Sequence, residues 1–568
     1  MSRRMRLVPL AVLCALIIAV PSVWANWVEG GVALCTAMGY QQSPQITSDG
    51  AGGAIVTWGD HRGTSRDIYA QRVNASGAIQ WITDGVALCT ATGDQTNLTI
   101  DSDGAGGAIV AWQDQRSGNN DIYAQRVNAS GVAQWTTDGV AICTSTGYQI
   151  FPAIISDGAG GAIITWRDAR DGLSNYDIYV QRVAASGVVQ WTTNGVAVCT
   201  AVGDQRHPII VSDGVSGALV AWEDGRSGNS SIYVQRVFAS GDVGVSPDGV
   251  AICAATGGQT WPTITSDGAG GAIVTWMDYR NSSNFADIYA QRVNPSVAVQ
   301  WQADGVALCT ASEFQQFPTI ISDGVGGAIV TWEDARSGVA TDIYAQRVDA
   351  SGVVQWMNDG VAICTATGGQ DFPTITSDGA GGAIVTWQDY RSSSNFPPDI
   401  YAQRVNASGT PPWTSDGVAL CTATWQQYNP TITSDGASGA IVTWEDGRSG
   451  ISPPDIYALR VDANGFLVLT AADGLAPPLQ LHQNYPNPFN PTTTVTYSIP
   501  ERCRVTLEIY DVSGMCVARL VDTPQEKGSY EVEWSGKDGA GNSLASGIYF
   551  YRLTAGTQTI SRKMVLLR

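Results

Sequence analysis

The chain has 568 residues, with 51 acidic against 31 basic side chains and a formal net charge of −20. That length exceeds one ordinary domain, and an acidic field of this size repels phosphate backbones, which argues against nucleic-acid binding. The charge is unevenly placed. Residues 26–470 hold 42 Asp and Glu against 19 Arg and no Lys, while residues 471–568 balance nine acidic and nine basic groups.

Arg3, Arg4 and Arg6 precede an apolar stretch over 7–20, and Ala25 supplies a small residue for cleavage. This is the pattern of a secretory signal over 1–25, and the apolar stretch is short for a membrane span. No later segment is long and apolar enough to cross a bilayer as a helix, so the expected mature chain is secreted or held at the outer cell surface, without a transmembrane segment.

From residue 26 to 470 a block of about 55 residues is written eight times, which marks a repeat architecture. Its markers are a Trp ending an apolar run (Trp58, Trp112, Trp166, Trp222, Trp276, Trp332, Trp387, Trp444), a D-I-Y-A-Q-R-V segment and a G-V-A-L-C segment. In the second copy, Leu98 opens a short β-like run. Asp103-Gly-Ala-Gly-Gly107 is a turn, and Ala108 to Trp112 is a strand apolar on both faces. A polar loop leads to a strand at 121–127, a turn at Asn128-Ala-Ser-Gly131, and a last run through Trp135 to Cys143. Helical periodicity is missing throughout, and Thr, Val and Ile usage favours an all-β fold.

The predicted unit is an antiparallel meander of four strands, and eight of them predict a β-propeller over 26–470. The array opens at Trp27, equivalent to Trp81, and closes at 466–469, equivalent to 78–81. The first strand is therefore expected to complete the last blade, leaving no open edge. An open solenoid is the alternative; it calls for polar caps.

Asp60 and Arg62 of W-x-D-x-R recur in all eight copies and Asp67 in seven. Repetition assigns them to the scaffold, as a turn pinned by Asp–Arg pairing. The fourth copy departs, with Ser231 for the Asp and Val245 for a Trp, and is expected to be looser. Eight of the eleven cysteines are one repeated position, from Cys35 to Cys421. Stacked sheets lie roughly 10 Å apart and a disulfide needs Cα atoms within about 7 Å, so these read as buried free thiols. One Cys per repeat without nearby His lacks metal-ligand spacing, and no metal or other cofactor is expected.

In a four-stranded meander, the loop after the Trp strand and the loop after the Cys strand share one rim. Both vary between copies, whereas the opposite rim carries monotonous turns. Variation on one rim of a rigid scaffold predicts a binding face there. The second loop carries Tyr40, Tyr148, Phe151, His207, Trp261, Phe314, Phe317, Phe372, Trp425 and Tyr428. Candidate ligand contacts are Tyr148, Trp261, Phe317, Phe372, Trp425 and Tyr428. The aromatics preceding Pro (Phe151, Trp261, Phe317, Phe372) have a second reading, as covers for the seams between blades. Catalysis has weaker support. The unrepeated rim carboxylates Asp94, Asp204, Glu313 and Asp371 sit on different blades, and none of His61, His207 and His482 belongs to a known catalytic motif. No catalytic residue is assigned.

Residues 471–484 read as a linker. From Tyr485 the chain runs Y-P-N-P-F-N-P-T-T-T-V-T-Y-S-I-P, then V-T-L-E-I-Y-D-V-S-G, A-S-G-I-Y-F-Y-R-L and S-R-K-M-V-L-L-R. Alternation at Val505, Leu507, Ile509 and at Tyr549, Tyr551, Leu553 predicts a small sandwich of about seven strands. This stretch resembles the C-terminal sorting domains of type IX secretion cargo and the Ig-like domain of flagellar hook-capping proteins. The array, more weakly, resembles repeat regions of such exported proteins. The resemblance implies recognition by secretion machinery at the outer membrane. It makes Tyr485–Pro491 the opening motif, led by Tyr485, Pro486, Asn487 and Pro488, and Arg562–Arg568 the closing strand, with Arg562 and Lys563.

The expected function is non-catalytic binding of an extracellular glycan or other surface polymer by an exported protein. The alternatives are a propeller hydrolase or lyase acting on polysaccharide, and a structural spacer.

Overall fold

A computed structural model of the chain describes residues 27–568 except 173–174, 245, 283, 393–396, 451–453, 469–478, 500–501, 527 and 557. The signal segment, Val245, Leu469 and most of the linker therefore lie outside the described residues. Among the described residues every regular element is a β-strand.

In the first blade Gln41–Ser48, Ala54–Asp60, Asp67–Val73 and Val86–Cys89 pair in chain order, all antiparallel. The same order recurs in each copy. The fourth adds a short strand, Val243–Gly244, beside Ser231–Val237. The first strand of each blade touches the first strand of the next, and Gln41–Ser48 also touches Gln427–Ser434. The eight inner strands thus form a closed ring, and the chain is an eight-bladed β-propeller.

Closure follows from the offset repeat. Val32–Cys35 pairs antiparallel with Asp455–Val461 as the outer strand of the eighth blade. Trp27 is fully buried; its Nε1 donates to the Ala75 carbonyl at 3.0 Å, as Trp81 does to Ala129. It shares a core with Leu459, Val461, Leu467 and Val468. Each second strand is buried over nearly its whole length because neighbouring blades cover both faces. The Gly before each outer strand is a close approach. A Cβ on Gly85, at φ 84°, would stand 2.7 Å from the Trp58 ring and 2.8 Å from the Ala70 carbonyl.

Two repeated devices fix each blade. On the monotonous rim, Asp49 accepts from the Ala51 and Gly53 N–H groups and pairs with Arg72, which also donates to Ala129 of the next blade at 2.9 Å. On the other rim, Asp60 accepts from the Trp58 indole at 2.9 Å and from Arg62 through both carboxylate oxygens. Arg62 lies over the Tyr69 ring and donates to the Asp84 carbonyl. The Asp60 carboxylate is fully buried. Burial pushes its pKa up, but the bonds from Arg62 and Trp58 outweigh burial and hold it below the usual value. Cys35 sits 3.3 Å from the Arg62 guanidinium, and burial pushes its thiol up to about 12. The eight repeated cysteines are buried and free.

The C-terminal region is a two-sheet sandwich. Gln480–Leu481, Thr493–Ile499 and Gly528–Trp534 form one sheet. Cys516–Gln525, Cys503–Tyr510, Gly547–Ala555 and Gln558–Leu566 form the other, in that spatial order. Val505, Leu507, Ile509, Tyr549, Tyr551 and Leu553 are all buried between them. Cys503 and Cys516 lie at opposite ends of their strand pair and are free.

Candidate functional site

The inner strand of every blade begins with Gln at residue 41, 95, 149, 205, 259, 315, 370 or 427, three residues before the run that the sequence marks as β-like. A bulge hides its first half: in the first blade the register shifts between Gln42 and Gln45. The third residue of each inner strand takes the left-handed conformation. These residues are Ser43, Asn97, Phe151, His207, Trp261, Phe317, Phe372 and Asn429, with φ between 47° and 55°. Phe151, His207, Trp261, Phe317, Phe372 and Tyr428 therefore belong to the channel-lining strands, not to the loop that precedes them.

The bulge residues of five consecutive blades meet. Ring centroids run Phe151–His207 at 6.4 Å, His207–Trp261 at 4.4 Å, Trp261–Phe317 at 5.6 Å and Phe317–Phe372 at 6.3 Å. Phe151, Trp261 and Phe372 remain 43, 46 and 51 % exposed while touching rings across the blade seams. Asn429, Ser43 and Asn97 complete the ring with polar side chains. The mouth of the propeller thus has an aromatic arc on blades three to seven and a polar arc on blades eight, one and two.

Gly59, Arg167 and Met277 aside, what holds the bulges is the middle residue of W-x-D. Its side chain reaches across the seam and accepts the bulge N–H of the next blade: Gln113 from Phe151 (2.9 Å), Glu223 from Trp261 (2.6 Å), Glu333 from Phe372 (2.7 Å), Gln388 from Asn429 (2.8 Å) and Glu445 from Ser43 (2.7 Å). These side chains are buried. Burial pushes the Glu333 carboxyl up to about 7, against the bonds from Phe372 and Gln316. Glu445 is raised for the same first reason. The sequence signal for these residues is that their position varies inside a motif whose Trp, Asp and Arg are fixed.

The other candidates are dispersed. Tyr148, Phe314 and Trp425 stand on the loops after the Cys strands. Tyr148 is 41 % exposed, Trp425 50 %, and Phe314 packs edge-on against Phe285 at 4.8 Å. Trp425 and Glu313 occupy the left-handed position that is Gly39, Gly93 or Gly147 in other copies. Tyr428 precedes its bulge and lies opposite Glu445. Among the rim carboxylates, Asp94 accepts from the Arg66 N–H and Asp204 pairs with Arg206. Asp371 accepts from Thr341, and burial raises its carboxyl.

In the sandwich, the two ends of the tail come together. Asn487 accepts from the Val565 N–H at 2.8 Å, Phe489 donates to the Val565 carbonyl, and Tyr485 pairs with Thr494. Gln483 donates to the Lys563 carbonyl, and Arg562 to that of Leu481. Pro486 accepts from Thr493, and Pro488 stands between the two motif residues that touch the closing strand.

Residues 490–559 match the FlgD Ig-like domain, so the tail carries an Ig domain of the hook-capping type. No curated protein matches the chain. Several solved structures are similar at low score. A polysaccharide lyase, the PL25 ulvan lyase bound to a GlcA–Rha3S repeat, is 10% identical with a TM-score of 0.41, over 79% of this chain and 97% of that one. The α-L-arabinanase of Penicillium chrysogenum complexed with arabinobiose is 10% identical with a TM-score of 0.32, over 64% and 94%. PorZ, a surface component of the type IX secretion system of Porphyromonas gingivalis, is 10% identical with a TM-score of 0.19, over 95% and 100%.

Proposed function

We propose that the propeller is a non-catalytic binding domain of an exported protein and holds a glycan on the aromatic arc at its mouth. One observation carries this reading. The left-handed conformation costs a residue with a side chain roughly 1–2 kcal/mol, and glycine relieves that cost. The chain has 64 glycines. It uses them at left-handed positions such as 50, 52, 77 and 85, yet none of the eight bulges is Gly. The side chains are kept at the expense of stability, which points to work done by the side chains themselves. Exposed rings in edge and stacked contact offer flat apolar faces, which suit the C–H faces of pyranoses.

A glycan array and a peptide pull-down on the purified chain test the reading. Trp261→Gly should lower glycan binding on the order of tenfold or more, with a smaller loss for Trp425→Ala on the neighbouring loop. Binding indifferent to both substitutions ends the proposal.

We further read the tail as a sorting module for type IX secretion. Support comes from the opening motif at Tyr485–Pro488 lying against the closing strand, so that both family-like segments form one surface. Removing residues 562–568 should leave the protein in the periplasm of a host with that machinery; unchanged export excludes the role. The second reading, a hydrolase or lyase, is favoured by the raised carboxyls of Glu333 and Asp371 on adjoining strands. It requires oligosaccharide products that disappear with Glu333→Gln.

A further inference from the structure

One member of the aromatic arc differs chemically from the rest. His207 is the only titratable side chain among the eight bulge residues. Its ring stacks on Trp261 at 4.4 Å with 24° between planes, so it forms part of the aromatic surface. Its Nδ1 lies 2.8 Å from Oε1 of Glu223, the same oxygen that accepts the Trp261 N–H. Glu223 is 4 % exposed, and its carboxylate only accepts hydrogen bonds. Nδ1 is therefore the donor of this pair, and in the neutral imidazole Nε2 keeps a lone pair. Among the described residues Nε2 has no hydrogen-bond partner. The imidazole itself is about one-third exposed.

The surrounding charges are already committed. Arg206 pairs with Asp204 at 2.5 Å, and Arg167 lies 3.7 Å from Asp204 and over the Tyr176 ring. Burial, and then the Glu223 charge, raise the Tyr279 hydroxyl. The arginines next to His207 share one carboxylate, and they do not form an anion site beside the imidazole.

We propose that His207 is the specificity-determining hydrogen-bond acceptor of the arc. Glu223 is its positioning residue, and the ligand is an uncharged sugar whose hydroxyl donates to Nε2 while its ring rests on Trp261. This rests on the glycan-binding reading and adds the ligand's charge class and the direction of one hydrogen bond. An imidazole fixed in one tautomer distinguishes a hydroxyl from an ether, which a plain aromatic wall does not.

Other blades supply substitutions that the fold already accepts. Phe stands at the bulge of blades three, six and seven, and Gln holds the bulge N–H from blades two and seven. His207→Phe thus keeps the ring and removes the acceptor. Glu223→Gln keeps an acceptor for the Trp261 N–H but can also present its amide N–H to the imidazole, freeing the tautomer.

Two measurements on the full chain decide the matter. The first is titration with cello-, xylo- and laminari-oligosaccharides and their O-methylated forms. Wild type should prefer a hydroxyl form at least tenfold, His207→Phe should bind both forms alike, and Trp261→Gly should lose both. The second is imidazole nitrogen NMR, assigned with the His207 variant since the chain has three histidines. It should show the proton on Nδ1 in wild type and a mixture in Glu223→Gln. A preference that survives His207→Phe, or a proton on Nε2, overturns this inference while leaving the aromatic platform standing. Binding indifferent to Trp261→Gly, or no binding by wild type, overturns the platform reading and this one with it.

Discussion

Each blade carries two polar constructions a few residues apart, and they obey opposite rules. The clamp of Trp58, Asp60, Arg62 and Tyr69 is repeated in every copy, with its carboxylate saturated by donors. The bulge at Ser43, Trp261 or Phe372 varies among the copies, sits at positive φ and leaves its side chain in the open. The carboxyl groups follow suit. In the clamp, bonds to Arg and Trp overcome burial and hold Asp60 and Asp224 low. At the bulge, burial dominates and holds Glu333 and Glu445 high. Saturation and repetition mark what builds a blade; strain and variation mark what the blade presents.

The largest expected effect breaks the clamp. Asp278→Ala leaves the Arg280 guanidinium and the buried Trp276 indole N–H without their acceptor, and should cost about 3–5 kcal/mol in denaturant unfolding. The matching change at a bulge should do the reverse. Phe372→Gly relieves the left-handed strain and is expected to stay within about 1 kcal/mol of wild-type stability, while glycan binding falls. A loss as large as that of Asp278→Ala would make Phe372 a structural residue and remove the contrast.

Acidity sharpens the comparison. The Glu333 carboxyl stands at about 7 in the fold against an ordinary 4.5. Its contribution to stability is full below pH 4.5 and is lost as pH rises through 7. Asp177, at about 7, and Asp67, Asp342 and Asp455, at about 6, act in the same direction. The clamp carboxyls Asp60 and Asp224 act oppositely, losing their contribution as pH falls below 3.8. Thermal unfolding against pH should therefore decline from pH 5 to 7, and Glu333→Gln should flatten that decline by one group's share. An unchanged slope would place Glu333 outside the titrating set.

The smallest effect concerns thiols. The eight clamp cysteines are buried, with burial pushing Cys35, Cys89 and their equivalents up to about 12. In the native chain a thiol reagent should label exposed Cys516, then Cys503, and reach the eight only on unfolding.

Much of this was legible before any coordinates. The period, the paired markers and the offset between Trp27 and Trp81 gave eight sheets and the strand that closes them. Repetition alone separated Asp60 and Arg62 from functional residues. The inner strand was legible only from Leu98 onward, because the bulge at Asn97 breaks the period-two pattern that identifies a strand. Trp261 and Phe372 could be named as candidates, but not as neighbours in an arc, since each blade's sequence is silent on the ring across the seam. Glu223 and Glu333 were hidden inside a motif assigned to the scaffold.

The sequence by itself determined the unit, its number and its closure, because burial of apolar strands is written locally in each copy. The tertiary structure alone decided which side chains share the mouth. That depends on φ at one bulge and on a hydrogen bond from the preceding blade, and neither leaves a periodic trace along the chain.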